Sequence, residues 1–118
     1  MKLSKTRIDK MTEYGIPQRM QGAIIRYYEK GLPPGDFLTA VIKNDLAEAV
    51  GRADHENVRL LKEYVMWFYN WAPGGSWGSE ENYVRWLEQD FDVPEEGVRE
   101  QRFVSDADQP NGNTVLNG

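Results

Sequence analysis

The chain has 118 residues, 40% hydrophobic and 28% charged, with a net charge of -5 and no cysteine. That length suits a single core, and the lack of cysteine excludes a disulfide framework, a thiolate nucleophile and a thiolate metal site. A mean hydropathy of -0.68, with no apolar run near the roughly eighteen residues of a spanning segment, excludes a membrane-spanning helix.

Charge is spread unevenly. In residues 1–15, Lys2, Lys5, Arg7 and Lys10 outnumber Asp9 and Glu13, and this stretch is expected to be a basic N-terminal extension. It is followed by polar and charged residues rather than an apolar segment, so no secretory signal and a cytosolic location are expected. From Glu88 onward, Asp90, Asp92, Glu95, Glu96, Glu100, Asp106 and Asp108 oppose only Arg99 and Arg102. An acidic chain repels free nucleic acid on average. It suits a basic surface, nucleic-acid mimicry, or simply solubility.

The remaining elements form a helical domain over residues 16–92. A first helix is expected over 17–30, opened by Pro17, carried by Met20, Ala23, Ile24, Tyr27 and Tyr28 at helical spacing, and stopped by Gly31. Leu32-Pro33-Pro34-Gly35 makes a rigid connection. A second helix is expected from Asp36, with Phe37, Leu38, Val41, Ile42, Leu46, Ala49 and Val50 as its apolar stripe. Asp54 caps a third, over 55–71, which is apolar on two sides: Val58, Leu61, Val65 and Phe68 on one, Leu60, Tyr64, Trp67 and Trp71 on the other. Such a helix is central to a bundle or shares a face with a second copy, so a homodimer is expected. A fourth begins at Ser79, with Glu80 and Glu81 in its first turn and Tyr83, Trp86, Leu87 and Phe91 packing, and Val93-Pro94 closes it. Residues 93–118 read as a polar, acidic tail. The fold class is all-α, a compact bundle of about four helices.

The segment LPPGDFLTAVIKNDLAEAVGRADHEN, followed by Tyr69-Asn70, Pro73 and Trp77-Gly78-Ser79, resembles a family of small accessory proteins encoded by phages, prophages and other mobile elements. The likeness spans roughly residues 24–87. It implies a setting in which short accessory proteins counter host defences, and hence the cytoplasm of an infected bacterial host. It supplies no catalytic residues.

Enzymatic signatures are lacking. His55 is the only histidine, placed beside Asp54 and Glu56 at a helix start where exposure is its ordinary fate. Carboxylate pairs such as Glu56 with Glu63, or Asp45 with Glu48, read as solvated surface, and no phosphate-binding glycine motif occurs. Neither a metal nor a cofactor is expected. The Gly-Gly-Ser-Trp-Gly-Ser loop has an ordinary loop purpose, with anion binding at the following helix start the sharper alternative.

Several polar groups have no evident packing role. Asn44 and Asp45 are weak helix formers inside a helical pattern, unless they solvate a face or bond the next turn. Arg52 and Asp54 flank a turn, where a salt bridge or cap is the structural use; Asn57 and Tyr69 lie at opposite ends of the third helix. With Trp77 and neighbouring aromatics, Asn44, Asp45, Arg52, Asn57 and Tyr69 form the expected ligand-binding set: aromatic faces stack on bases, Arg contacts phosphate and Asn reads base edges. The competing reading places Trp67, Phe68 and Trp71 in the core or a dimer contact. The leading expectation is a phage counter-defence protein that sequesters a small nucleotide immune signal without catalysis. The alternatives are an acidic inhibitor occupying the nucleic-acid site of a host defence complex, and an interaction module unrelated to defence.

Overall fold

A computed structural model describes residues 2–91, whose regular secondary structure is all helical, with no strand among them. Seven helices follow in order: α1 (Lys5–Glu13), α2 (Gln18–Lys30), α3 (Asp36–Ile42), α4 (Leu46–Arg52), α5 (His55–Arg59), α6 (Leu61–Trp71) and α7 (Glu80–Glu88). The all-α class is as expected, but the helix count is higher than four for three local reasons.

The first lies in the N-terminal stretch expected as an extension. The Ser4 side chain accepts from the Arg7 amide at 3.2 Å and opens α1, whose Met11 is fully buried. Two bonds then latch α1 to α6: Trp67 Nε1 donates to the Arg7 carbonyl (2.9 Å), and Arg7 Nε donates to the Trp71 carbonyl (2.7 Å).

The second is a corner in the expected second helix. Asn44 adopts a left-handed backbone (φ 63), which asparagine tolerates better than most residues. The Asp45 amide returns to the Ala40 carbonyl, and the Asp45 carboxylate accepts from the Glu48 amide at 3.2 Å, capping α4. The third is a break at Leu60 (φ -102, ψ 12) between α5 and α6, after Asp54 caps α5 through the Asn57 amide at 2.8 Å.

Other boundaries fall close to expectation. Pro17 sits at the N-cap of α2, one position earlier than expected, and Gly31 closes that helix in the left-handed region (φ 68) with its amide on the Tyr27 carbonyl. Ser79 caps α7 through the Asn82 amide at 3.0 Å. That helix ends at Glu88; the expected stop at Val93-Pro94 and the acidic tail of 93–118 lie outside the described residues.

The core is aromatic. Tyr27 and Tyr28 from α2, Tyr64, Trp67 and Phe68 from α6, Leu38 and Ile42 from α3 and Ile24 from α2 are buried together. The turn between α6 and α7 is drawn into it: Ser76 is fully buried, its carbonyl accepts from the Tyr27 hydroxyl (2.9 Å), and its hydroxyl meets that of Tyr28 (2.8 Å). No described helix is long and apolar enough to cross a membrane.

Burial pushes the Tyr27, Tyr28 and Tyr64 phenols above their ordinary value of 10.0. An unfolded chain would release these protons near pH 10 while the folded chain keeps them, so their contribution is complete below that pH and drains away as pH rises toward the folded values. Thermal melts should show a midpoint that falls progressively above pH 10, with phenolate absorbance of the buried tyrosines emerging only on unfolding. Gly31→Ala combines an unfavourable backbone region with a Cβ driven into the Phe91 ring. It should cost at least about 1 kcal/mol in urea denaturation.

Candidate functional site

The six residues expected to bind a ligand occupy three different situations. Asn57 is buried; its side-chain carbonyl accepts from the Tyr64 hydroxyl at 2.6 Å, so it braces α5 against α6 and faces no solvent. Its placement as a ligand group is corrected by this bond, which a ligand would have to break. Arg52 is half-exposed but engaged: Nε donates to Glu48 at 2.7 Å, and Nη1 approaches Asp36 at 3.4 Å, stapling α4 to the start of α3. Trp77 is half-buried against Phe68, with ring centroids 5.7 Å apart, and its carbonyl accepts from Asn82.

Asn44 and Tyr69 remain available, and Asp45, although exposed, already caps α4 through one carboxylate oxygen. Asn44 and Asp45 are exposed at the α3–α4 corner, where they line a shallow groove with Leu46, Leu61 and Val65. Tyr69 is 74% exposed, and its phenol has no hydrogen-bond partner among the described residues. Tyr69 follows Val65 by one helical turn, about 6 Å further along the same side of α6.

At about 100° per residue, Lys62, Val65, Met66 and Tyr69 form one strip on α6, opposite the buried Tyr64, Trp67 and Phe68. All four of the strip are exposed. One edge of the strip is the groove at Asn44 and Asp45, which encloses only about 40 Å³. The other is a larger cleft of about 280 Å³ lined by Tyr14, Lys62, Glu63 and Met66. A recognition surface centred on α6 therefore has two flanks, of which the sequence reading identified one.

The second flank has chemistry of its own. The Tyr14 hydroxyl accepts from Asn70 Nδ2 (3.3 Å) and Trp71 Nε1 (3.1 Å), so its own proton is left to donate, with no acceptor among the described residues. Glu63 Oε1 is buried without a partner. Neither was legible earlier: Glu63 reads as an ordinary helix-surface carboxylate, and the approach of Tyr14 to α6 depends on the α1 latch, which spans some sixty residues of sequence.

Other sequence suggestions find structural uses. The Gly-Gly-Ser-Trp-Gly-Ser loop directs Ser76 inward, and Ser79 occupies the first amides of α7 beside Glu80 and Glu81, an unfavourable setting for an anion. His55 is exposed at the start of α5. The Asp54 carboxyl is held below the usual range, chiefly by the Asn57 amide and further by Arg19, whose guanidinium bridges Asp54 and Glu56. An open concavity of about 430 Å³ lies along the outer face of α7 between Glu80, Glu81, Val84, Arg85 and Glu88.

Comparison with protein-family models, curated proteins and solved structures finds no match for this chain.

The two tyrosines of α6 should separate structure from recognition. Tyr64→Phe leaves the buried Asn57 carbonyl without its donor and should cost about 1–2 kcal/mol in urea denaturation. Tyr69→Ala, on the exposed strip, should change stability by less than about 0.5 kcal/mol.

Proposed function

We propose that the protein is a non-catalytic binder that captures a small nucleotide-type ligand on the exposed face of α6, in keeping with a phage-encoded counter-defence role. The observation that carries this reading is the uncommitted strip of Lys62, Val65, Met66 and Tyr69, flanked by Asn44 and Asp45 on one side and Tyr14 on the other. It offers an aromatic face for stacking, an ammonium for phosphate and amide or carboxylate groups for base edges, without a buried acid–base pair among them. Leu46, Val50, Val65 and Tyr69 also leave apolar surface uncovered. This supports association of two copies around the ligand, since the groove at Asn44 is too small to enclose a nucleotide by itself.

A second reading draws on the acidic outer face of α7, where Glu80, Glu81 and Glu88 surround Arg85. An inhibitor that occupies a nucleic-acid site would present such a face to a basic protein surface.

Calorimetry of the full-length protein against a panel of cyclic and linear nucleotides tests the first reading. Binding is expected, weakened at least about tenfold by Tyr69→Ala at unchanged thermal midpoint, and by Asn44→Gly, which keeps the left-handed backbone of the corner. Arg52→Ala should have a smaller effect, because the guanidinium is already held by Glu48 and Asp36. No heat with any nucleotide, together with strongly salt-dependent binding of a basic host protein abolished by charge reversal at Glu80 and Glu81, would favour the second.

A further inference from the structure

The exposed apolar side chains are concentrated beside one groove. Leu46 and Val50, one turn apart on α4, are 67% and 47% exposed, and Val65 on α6 is 37% exposed. Leu46 and Val65 line the same shallow groove, together with the buried Ala40, Val41 and Ala49. At about 100° per residue, Leu46, Val50, Ala47 and Gly51 cover an unbroken uncharged arc of α4, and Glu48 and Arg52 fall beyond it. All four residues of that arc are exposed. The exposed parts of the arc and of Val65 amount to on the order of 400–500 Å² of mostly apolar surface, the size at which a contiguous patch marks an interface.

The charges decide which occupant this face fits. Arg52 is paired within the chain to Glu48 and Asp36. At the margins, Asp45 and Lys62 are exposed and opposite in sign, and neither has an ion pair among the described residues. An oppositely charged partner would call for a margin of one sign. A second copy calls instead for a face that does not repel itself, because a two-fold contact sets the same patch against its own copy. The outer face of α7, with Glu80, Glu81 and Glu88, fails that requirement. The face along α4 and α6 meets it, and its hollow and projecting side chains lie next to one another, as a self-complementary contact needs.

We propose that two copies of the chain associate across this face, in a two-fold contact centred on Leu46 and Val50 of α4 and Val65 of α6. Tyr69, one turn beyond Val65, then stands at the margin of the seam, where its ring stays open to a ligand. The inference goes beyond nucleotide capture, because the contact joins protein surfaces and needs no ligand to form. Two such patches bury roughly 800–1,000 Å² in all, at the small end of specific interfaces, so the dimer is reversible in the micromolar range rather than permanent.

The test is sedimentation velocity of the full-length protein without nucleotide. Across about 1 to 200 µM the mean mass should rise from one chain toward two. Leu46→Glu and Val50→Glu, measured separately, should each weaken association at least about tenfold. Both positions are exposed, so the thermal midpoint of a dilute sample should stay within the range of ordinary surface substitutions. Val84→Glu, at an exposed apolar position on α7 away from this face, should leave the mass profile unchanged. A single chain at every concentration would overturn the proposal and leave the face to a different partner. So would a dimer undiminished by Leu46→Glu and Val50→Glu, or one that Val84→Glu weakens as strongly. A dimer that forms only when a nucleotide is added would overturn this inference and leave nucleotide capture standing. The wild-type concentration series stands whether or not a variant folds.

Discussion

Everything in this bundle is referenced to one buried serine. The Ser76 hydroxyl has a single proton, and its 2.6 Å bond to the Pro73 carbonyl consumes it. At the 2.8 Å contact between the two hydroxyls, Tyr28 must therefore be the donor. With Tyr27 donating to the Ser76 carbonyl, both adjacent tyrosines of α2 end on the same residue of the α6–α7 turn. The interaction is directional, buried and fully satisfied, so a shift of the turn would strand several polar groups at once. Apolar contact alone would tolerate sliding; this does not.

The tyrosine pair extends the constraint to the helices on either side. Trp86 of α7 donates to the Tyr27 carbonyl at 2.8 Å, while its ring meets Tyr28 edge-on with centroids 5.3 Å apart. Tyr28 also contacts Trp67 and Phe68, fixing which side of α6 faces inward. The Gly78 amide, meanwhile, ties the same turn to the Ile42 carbonyl at the end of α3. Once Trp67 and Phe68 are held inward, helical geometry leaves Lys62, Val65, Met66 and Tyr69 facing out. The exposed strip is thus a consequence of core chemistry some distance away from it.

This explains what could be read in the chain and what could not. Local signals were legible because their physics is local. Gly31 stops α2 by its left-handed backbone, and Asp54 and Ser79 cap helices that begin at the next residue. The helix from Asp36 was expected to be continuous because its apolar spacing passes smoothly through Asn44 and Asp45. The corner there is a turn whose polar residues do the turning, so the poor helix propensity noted at those positions had a structural cause as well as leaving exposed groups. For Arg52 a salt bridge was the expected structural use, and it pairs with Glu48 one turn back and with Asp36 across the corner; the partner of Asn57, Tyr64, comes into reach only when α5 and α6 are assembled. Tyr14 drew no attention and Glu63 was read as solvated surface, for the same reason in reverse. Each is ordinary in its own stretch of sequence, and their placement on one cleft depends on the contact of α1 with α6.

The contrast between Asn57 and Glu63 shows two ways in which a bundle of this size encloses a side-chain oxygen. Both lie near the α5–α6 break, and both carry a buried side-chain oxygen. Asn57 receives the Tyr64 proton at 2.6 Å, and its burial is thereby offset within the fold. Glu63 Oε1 receives nothing from the described residues, so the cost of desolvating it is not recovered there. A packed core selects strongly against that expense wherever water or an apolar replacement would serve. Glu63 as a whole is only partly buried, so its charge is carried where the rest of the side chain meets solvent, while Oε1 itself is closed off.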